Sequence, residues 1–291
     1  MGSFSILNNV SGLNSQNQLN LNNVNLSRTL MRLSSGRRVN SGADDAAGLQ
    51  IADSLRANVR ALDQAVRNAN DGISVAQIAD GALNEIGNLL SRAVTLAEEA
   101  ASDTVDSSGR ASLDDEYAQI QSEIARIATQ TNFNGTGIFS TSGNNLGGTL
   151  GIFVGDTSGA SSIAVTIGQI TTGGSGTTLT VSDLNGADIS GVDLTTNTAA
   201  ATALLTIKTA IDALATSRAS IGSGINRLQA AVAVLQSQSQ NTTAAESTIR
   251  DANMAEEVAN LTKYQILAQS GMAALAQANA MSQNVLSLLR Q

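Results

Sequence analysis

The chain of 291 residues contains no proline, cysteine, histidine or tryptophan, and only two tyrosines and four phenylalanines. Each absence closes off a class of structure or chemistry. Without proline, nothing removes an amide donor from a helix interior, so long unbroken helices are allowed. Without cysteine there is no disulfide staple, and the redox compartment is not legible from thiols. The joint absence of histidine and cysteine removes the usual ligands of zinc sites, so no metal or other cofactor is expected. Scarce aromatics imply an aliphatic interior, which suits helix seams better than a bulky globular core. Basic residues number 16 against 24 acidic ones, a net charge of −8, so the basic face that nucleic acid needs is not expected. No run of 18 apolar residues exists, and no membrane-spanning helix is expected. The opening Met1 to Val10 lacks the basic-then-apolar pattern of a Sec-type signal. Ile6 stands where a myristoylation pattern requires Ser or Thr.

What is present is periodicity. Leu55, Leu62, Ala69, Ala76, Leu83, Leu90 and Ala97 recur every seven residues. A companion line of Val59, Val66, Ile73 and Val94 follows four residues behind, broken by Asp80 and Gly87. This is a coiled-coil-like stripe. A second helix is predicted over about 111–129, carrying Tyr117, Ile120, Ile124 and Ile127, after a Ser-, Asp- and Gly-rich turn at 102–109. Later in the sequence Leu204, Ile207, Ile211, Leu214, Arg218, Ile221, Ile225, Leu228, Val232 and Leu235 alternate spacings of three and four. Only Arg218 breaks that seam, and a lone charge in a seam fixes register.

The middle, 132–197, is rich in Gly, Ser and Thr and carries no Lys or Arg. Gly151–Val154 and Ile163–Ile167 read as strands joined by turn chemistry at Gly155–Gly159, hence a small β-hairpin. Thr171–Thr178 reads as a loop. The expected fold is therefore mainly α, with long coiled-coil-like helices forming a hairpin-shaped rod and a small β-hairpin region in the middle.

The two ends differ from everything else. No charged residue occurs from Met1 to Ser27, nor from Tyr264 to Leu289. Both stretches keep helical apolar spacing, with Asn and Gln where Glu, Lys and Arg ordinarily solvate a helix face. Such a surface is suited to being packed while still hydrogen-bonded. The few apolar side chains of the first 33 residues do not offset the entropy of ordering an unpartnered helix in water. The ends are therefore expected to order when surrounded by neighbouring copies, folding as they assemble.

Catalysis has little foothold. The carboxylate groups Asp44-Asp45, Glu98-Glu99, Asp114-Asp115-Glu116 and Glu256-Glu257 are adjacent in sequence. Neighbouring residues on a helix point in different directions, and an acid–base dyad needs a pocket that separates two pKa values. Asp44-Asp45 and Asp114-Asp115 fit helix N-termini, where negative charge is favourable. Gly222-Ser223-Gly224 lacks the third glycine of a dinucleotide loop and the lysine of a P-loop, which leaves a packing role. The chain reads as a non-enzyme.

Several long motifs then resemble one family. Leu26-Ser27-Arg28-Thr29-Leu30-Met31-Arg32-Leu33-Ser34-Ser35-Gly36-Arg37-Arg38-Val39-Asn40, continuing Ser41-Gly42-Ala43-Asp44-Asp45-Ala46-Ala47-Gly48-Leu49, is similar to the N-terminal signature of bacterial flagellins. Thr131-Asn132-Phe133-Asn134-Gly135 resembles the family's turn before its β-hairpin. Ala276-Gln277-Ala278-Asn279 and Gln283-Asn284-Val285-Leu286-Ser287-Leu288-Leu289-Arg290 resemble its C-terminus. The resemblance covers about 1–170 and 198–291.

It implies a minimal flagellin without large outer domains, a subunit that polymerises into the flagellar filament for swimming. The alternative within the family is the hook–filament junction protein. The implied organisation is an inner terminal-helix core of 1–40 and 255–291, a helical rod of 41–135 and 198–254, and a β-hairpin and loop region of 136–197. The implied polymerisation interface comprises Ile6, Val10, Leu13, Val24, Leu26, Leu30, Leu33, Leu275, Val285, Leu286 and Leu289. Arg28, Arg32, Arg37 and Arg38 are assigned an inter-domain or inter-subunit charge contact. Family membership further implies a homopolymer outside the cell, export through the flagellar type III apparatus, an export chaperone, and cap and hook-junction proteins as partners. Recognition by an innate Toll-like receptor would involve Arg92, Leu96 and Glu123. The added negative charge of Glu98 and Glu99 departs from the family pattern there.

Overall fold

The computed structural model describes residues 9–139, 148–155, 162–168, 170–173, 178–180, 189 and 192–288. Among these described residues lie five α-helices, α1 Val10–Ser35, α2 Ala46–Ala100, α3 Ser107–Gln130, α4 Asn197–Arg250 and α5 Met254–Leu288. Between α3 and α4 lie strands β1 Asn132–Phe133, β2 Thr136–Gly137, β3 Gly148–Phe153, β4 Ser162–Gly168, β5 Thr171–Gly173 and β6 Thr178–Thr180. The fold is mainly α with a small central β region. The molecule divides into two compact units, 1–59 with 240–291, and 60–239.

In the larger unit the two seams read from the sequence form the core. Leu62, Ala69, Ala76, Leu83, Leu90 and Ala97 of α2 are buried, as are Ile207, Leu214, Ile221, Leu228 and Leu235 of α4. The helices run antiparallel. Asp63 accepts a hydrogen bond from the Ser239 hydroxyl at 3.0 Å, and farther along Asp80 meets Arg218 at 2.9 Å. Each seam's interruption thus lies opposite the other's. Gly87, the second break in α2, leaves the space occupied by Leu214, whose Cδ2 lies 3.2 Å from where a Cβ would sit. One window of α4 is long and apolar enough to pass for a membrane span by composition. Here its apolar seam is buried in the core of the unit.

α2 ends at Ala100, and α3 starts four residues earlier than its apolar pattern suggests, because Asp106 caps it and accepts from the Gly109 amide at 2.7 Å. Asp114, expected near a helix start, sits two turns inside α3 and accepts the Leu194 amide at 2.8 Å. Tyr117 is buried, and its hydroxyl donates to the Ile189 carbonyl at 3.2 Å. Burial pushes its phenol pKa up.

The expected hairpin is present as β3 and β4, paired antiparallel with Ile152 opposite Ile163 and Leu150 opposite Val165. Most of the turn expected at Gly155–Gly159 lies outside the described residues. The hairpin is seated on glycines. A Cβ on Gly72 of α2 would lie 2.0 Å from Ile152 Cδ1, and one on Gly224 of α4 would lie 2.7 Å from Val165 Cγ1. Gly224 therefore has the packing role that its motif context left open. Thr171–Thr178 is not wholly a loop. Its flanking β-branched threonines pair as β5 and β6, with Thr172 opposite Leu179. A further two-residue hairpin, β1–β2, turns at Asn134 and Gly135.

The smaller unit is built differently. α1 and α5 run antiparallel: Asn9 donates to the Ala278 carbonyl at 3.2 Å, Leu19 lies 3.4 Å from the place of a Gly271 Cβ, and Arg32 meets Glu257 at 3.4 Å. α1 ends on Gly36 in the left-handed conformation, φ 70°, which its missing Cβ allows. The connectors that leave α1 and enter α5 then lie side by side. Arg37 and Asp251 form an antiparallel bridge, with Arg38 N–H donating to Arg250 O at 2.7 Å and Ala252 N–H to Gly36 O at 3.0 Å.

Candidate functional site

Among the described residues of the smaller unit, only Val39 and Ala52 are buried apolar residues. The larger unit buries more than thirty in its main cluster and its satellite. The apolar side chains of the terminal helices instead face outward. Val10, Leu13 and Val24 of α1 are 60%, 55% and 56% exposed, and Leu30 is exposed beside them. Leu26, Leu33 and Leu275 are half-buried. Sequence reasoning did not single out Leu21, Ile266, Met272 and Met281, which are exposed in the same way, as is Met31. Their signal was available, since they too lie in stretches almost without charge. Val285 and Leu286 lie within α5, while Ile6 and Leu289 fall outside the described residues.

Scattered exposed apolar residues are ordinary, but helices that bury almost none of theirs and lie in stretches without charge for 26 or more residues are not. Lys and Arg stems cannot cover such a face, and amide side chains solvate it weakly. The pair α1–α5 therefore presents an apolar and amide surface able to be covered by further helices.

At the base of this pair sits a polar junction. Arg32 reaches Asp44 at 3.6 Å and Glu257 at 3.4 Å, while Arg28 approaches Asp44 at 3.9 Å. Asp44 also accepts from the Ser41 hydroxyl at 3.0 Å and from the amides of Ser41 and Asn40 at 3.1 and 3.3 Å. Burial works to raise the Asp44 carboxyl, but those hydrogen bonds and the Arg32 charge outweigh it and hold its pKa below the usual range. Asp45 caps α2 by accepting the Gly48 amide at 2.9 Å, as the sequence suggested. Glu257 lies in the first turn of α5, where the helix dipole favours its charge.

Arg250 forms a second junction, meeting Asp53 at 3.1 Å and Glu246 at 3.7 Å. The Arg38 guanidinium donates to Ile249 O at 2.9 Å, and Arg37 contributes its backbone to the bridge. Arg32 Nε, Arg250 Nε and Glu257 Oε2 are buried without a hydrogen-bond partner. Here charge replaces apolar packing, and part of its hydrogen-bonding capacity is unspent.

The three residues assigned to receptor recognition are not alike. Arg92 is exposed and pairs with Glu116 at 2.7 Å. Glu123 pairs with Arg126, whose hydrogen bond holds its carboxyl pKa low. Leu96 is 1% exposed and belongs to the core. Among the described residues, no cluster of three or more metal-ligating side chains occurs.

Two family models match the sequence: the bacterial flagellin N-terminal helical region over residues 6–144 and the bacterial flagellin C-terminal helical region over 204–289. The chain is 35% identical over 289 residues to a flagellin of Halalkalibacterium halodurans, covering 97% of this chain and 98% of that one. It is 36% identical over 288 residues to a flagellar filament 33 kDa core protein of Treponema phagedenis, covering 97% and 98%. The crystal structure of Bacillus cereus flagellin is 32% identical with a TM-score of 0.48, covering 62% of this chain and 94% of that one.

Proposed function

The chain belongs to the bacterial flagellin family and is a structural subunit of the flagellar filament, and we propose that α1 and α5 supply the surface through which it polymerises. The observation that carries this reading is the outward-facing apolar face of those two helices, free of charge over residues 10–27 and 264–288. Burying it between copies removes apolar area from water, at roughly 25 cal/mol per Å². A heterologous contact that does not close on itself then grows as a helical polymer. The interface so assigned comprises Ile6, Val10, Leu13, Val24, Leu26, Leu30, Leu33, Leu275, Val285, Leu286 and Leu289.

In functional terms we divide the protein into an inner core of 1–40 and 255–291, a helical rod of 41–135 and 198–254, and the β region of 136–197. Arg28, Arg32, Arg37 and Arg38 lie at the end of the first segment. There the unspent groups Arg32 Nε and Glu257 Oε2 give the junction room to exchange partners when a neighbour docks. The subunit's place is the filament. We assign it an extracellular position, reached through type III export, with an export chaperone, a cap and hook-junction proteins as partners. Toll-like receptor recognition, if centred on Arg92 and Glu123, is weak, because both already hold intrachain ion pairs and Leu96 is buried.

The test is electron microscopy of purified monomer supplied with a precipitant and short filament seeds, beside a variant lacking 1–33 and 264–291. Long uniform filaments from the intact protein and none from the trimmed one are expected. Intact protein that only caps existing filaments would instead favour the junction-protein alternative.

A further inference from the structure

We propose that Asn134-Gly135 is a self-modification site whose chemistry is gated by folding. Asn134 is the one non-glycine residue with positive φ among the described residues, at 50°, and Gly135 follows at 77°. Phe133 pairs with Thr136 across them, so the two residues form the whole loop of the β1–β2 hairpin. Positive φ at both central residues makes this a type I′ turn. Both are exposed, and nothing lies within 4 Å of where a Gly135 Cβ would be.

In water, the Gly135 amide nitrogen, once it loses its proton to hydroxide, can attack Asn134 Cγ. A bond forms between that nitrogen and Cγ, the bond from Cγ to Nδ2 breaks, and ammonia leaves with a proton from water. The resulting succinimide is opened by water at either carbonyl, giving aspartate or the β-linked isoaspartate. No oxidant or reductant is needed. Ring closure requires the Gly135 nitrogen to swing close to the Asn134 side chain about the bond between Cα and the carbonyl carbon. The first central residue of a type I′ turn has ψ of about +30°, which holds that nitrogen on nearly the opposite side from Cβ. The folded turn therefore keeps the reacting atoms apart, whereas the unfolded polypeptide, with no side chain on Gly135 to obstruct attack, does not.

The product is not equivalent to the parent. Isoaspartate routes the backbone through the side chain and adds a backbone atom to a loop of two residues. The pairing of Asn132 with Gly137 depends on that loop length. So does the position of Ile138 and Phe139, both fully buried, with Ile138 N–H on Thr131 O and Ile170 N–H on Phe139 O at 3.1 Å each. A molecule that waits unfolded is thus marked and hindered from folding, while a folded one is protected.

The experiment ages full-length protein at mildly alkaline pH, native in one arm and in denaturant in the other, and follows both Asn-Gly sites by peptide mass spectrometry. Asn185-Gly186, the second such site in the sequence, serves as an internal reference for the unfolded state. Asn134 should convert alongside Asn185 when unfolded and at least about tenfold more slowly when native. Equal rates in the two arms, or no conversion in denaturant, would overturn the proposal. A second arm ages the Asn134→Gly variant in denaturant, which keeps a permitted type I′ turn without the reactive amide. On dilution it should recover monomer helicity better than the equally aged parent, and equal recovery would overturn the proposed consequence. This readout involves no polymer, so it stands or falls apart from the filament reading.

Discussion

The carboxylate of Asp80 and the guanidinium of Arg218 meet at 2.9 Å, and each is the charged residue that interrupts the apolar seam of its own helix. Arg218 also reaches Asn84 at 3.1 Å. The hydrogen bond that Arg218 donates to Asp80 is the main cause of the raised Arg218 pKa. Two heptad seams can mesh in more than one register, because a shift by seven residues again sets Leu and Ile against Leu and Ile. Such a shift here would press Arg218 and Asp80 onto apolar partners.

Because both side chains of that pair are more than a third exposed, Asp80→Ala should cost less than about 1 kcal/mol in thermal unfolding. Replacing both partners by leucine should preserve or raise stability while relaxing register. The protein has no native cysteine, so disulfide trapping between positions 63 and 239 reports register cleanly. The parent should cross-link completely. A double-leucine variant that cross-links just as completely would show that the pair does not set register.

Gly222 and Gly224 should respond oppositely to alanine. Nothing lies near a Gly222 Cβ, so Gly222→Ala should stabilise by about 0.5–1 kcal/mol through helix propensity alone. At Gly224 the new methyl meets both branches of Val165, at 2.7 and 2.9 Å, and a β-branched side chain has little room to turn away. Overpacking of about 1–3 kcal/mol should outweigh the propensity gain. Melting curves by circular dichroism would separate the two.

Asp44 sets an acid limit on the polar junction. Its folded pKa lies below the unfolded value of 3.8, so its contribution is fully present above that value and fades as pH falls through the folded pKa. Asp44→Asn should therefore destabilise at neutral pH, with the difference from the parent shrinking below about pH 4. A difference independent of pH would assign the loss to packing rather than charge.

Leu13→Ser and Val24→Ser should separate assembly from folding. Both positions are more than half exposed in the single subunit, so monomer melting should move by no more than about 0.5 kcal/mol. Seeded polymerisation, followed by light scattering, should be strongly reduced. A melting temperature that falls along with polymerisation would point instead to a role within the monomer.

The seams were legible because a period of seven residues survives any context, and the burial of Leu83, Leu90, Ile221 and Leu228 follows it closely. Asp80 and Arg218 were each visible as anomalies, but their meeting was not, since 138 residues separate them. The seats at Gly72 and Gly224 were likewise hidden, because a glycine does not announce which distant side chain fills its space. The start of α3 was missed for a local reason: the Asp106 cap lies before the apolar pattern begins. The β5–β6 pair was missed because its threonines are embedded among glycines that read as a loop. At the terminal helices the absence of charge was legible from the outset. The outward orientation of Leu21, Met31 and Ile266 needed the α1–α5 pairing to be seen.

The bridge between Gly36–Val39 and Arg250–Ala252 has a mechanical consequence. Pulled along their length, the two antiparallel connectors are sheared, so their backbone hydrogen bonds bear load together instead of opening one after another. Tension that arrives through α1 is thereby handed partly to the connector of α5, and the reverse. Neither terminal helix has to carry a pull alone, and the first and last parts of the polypeptide behave there as one two-stranded cable.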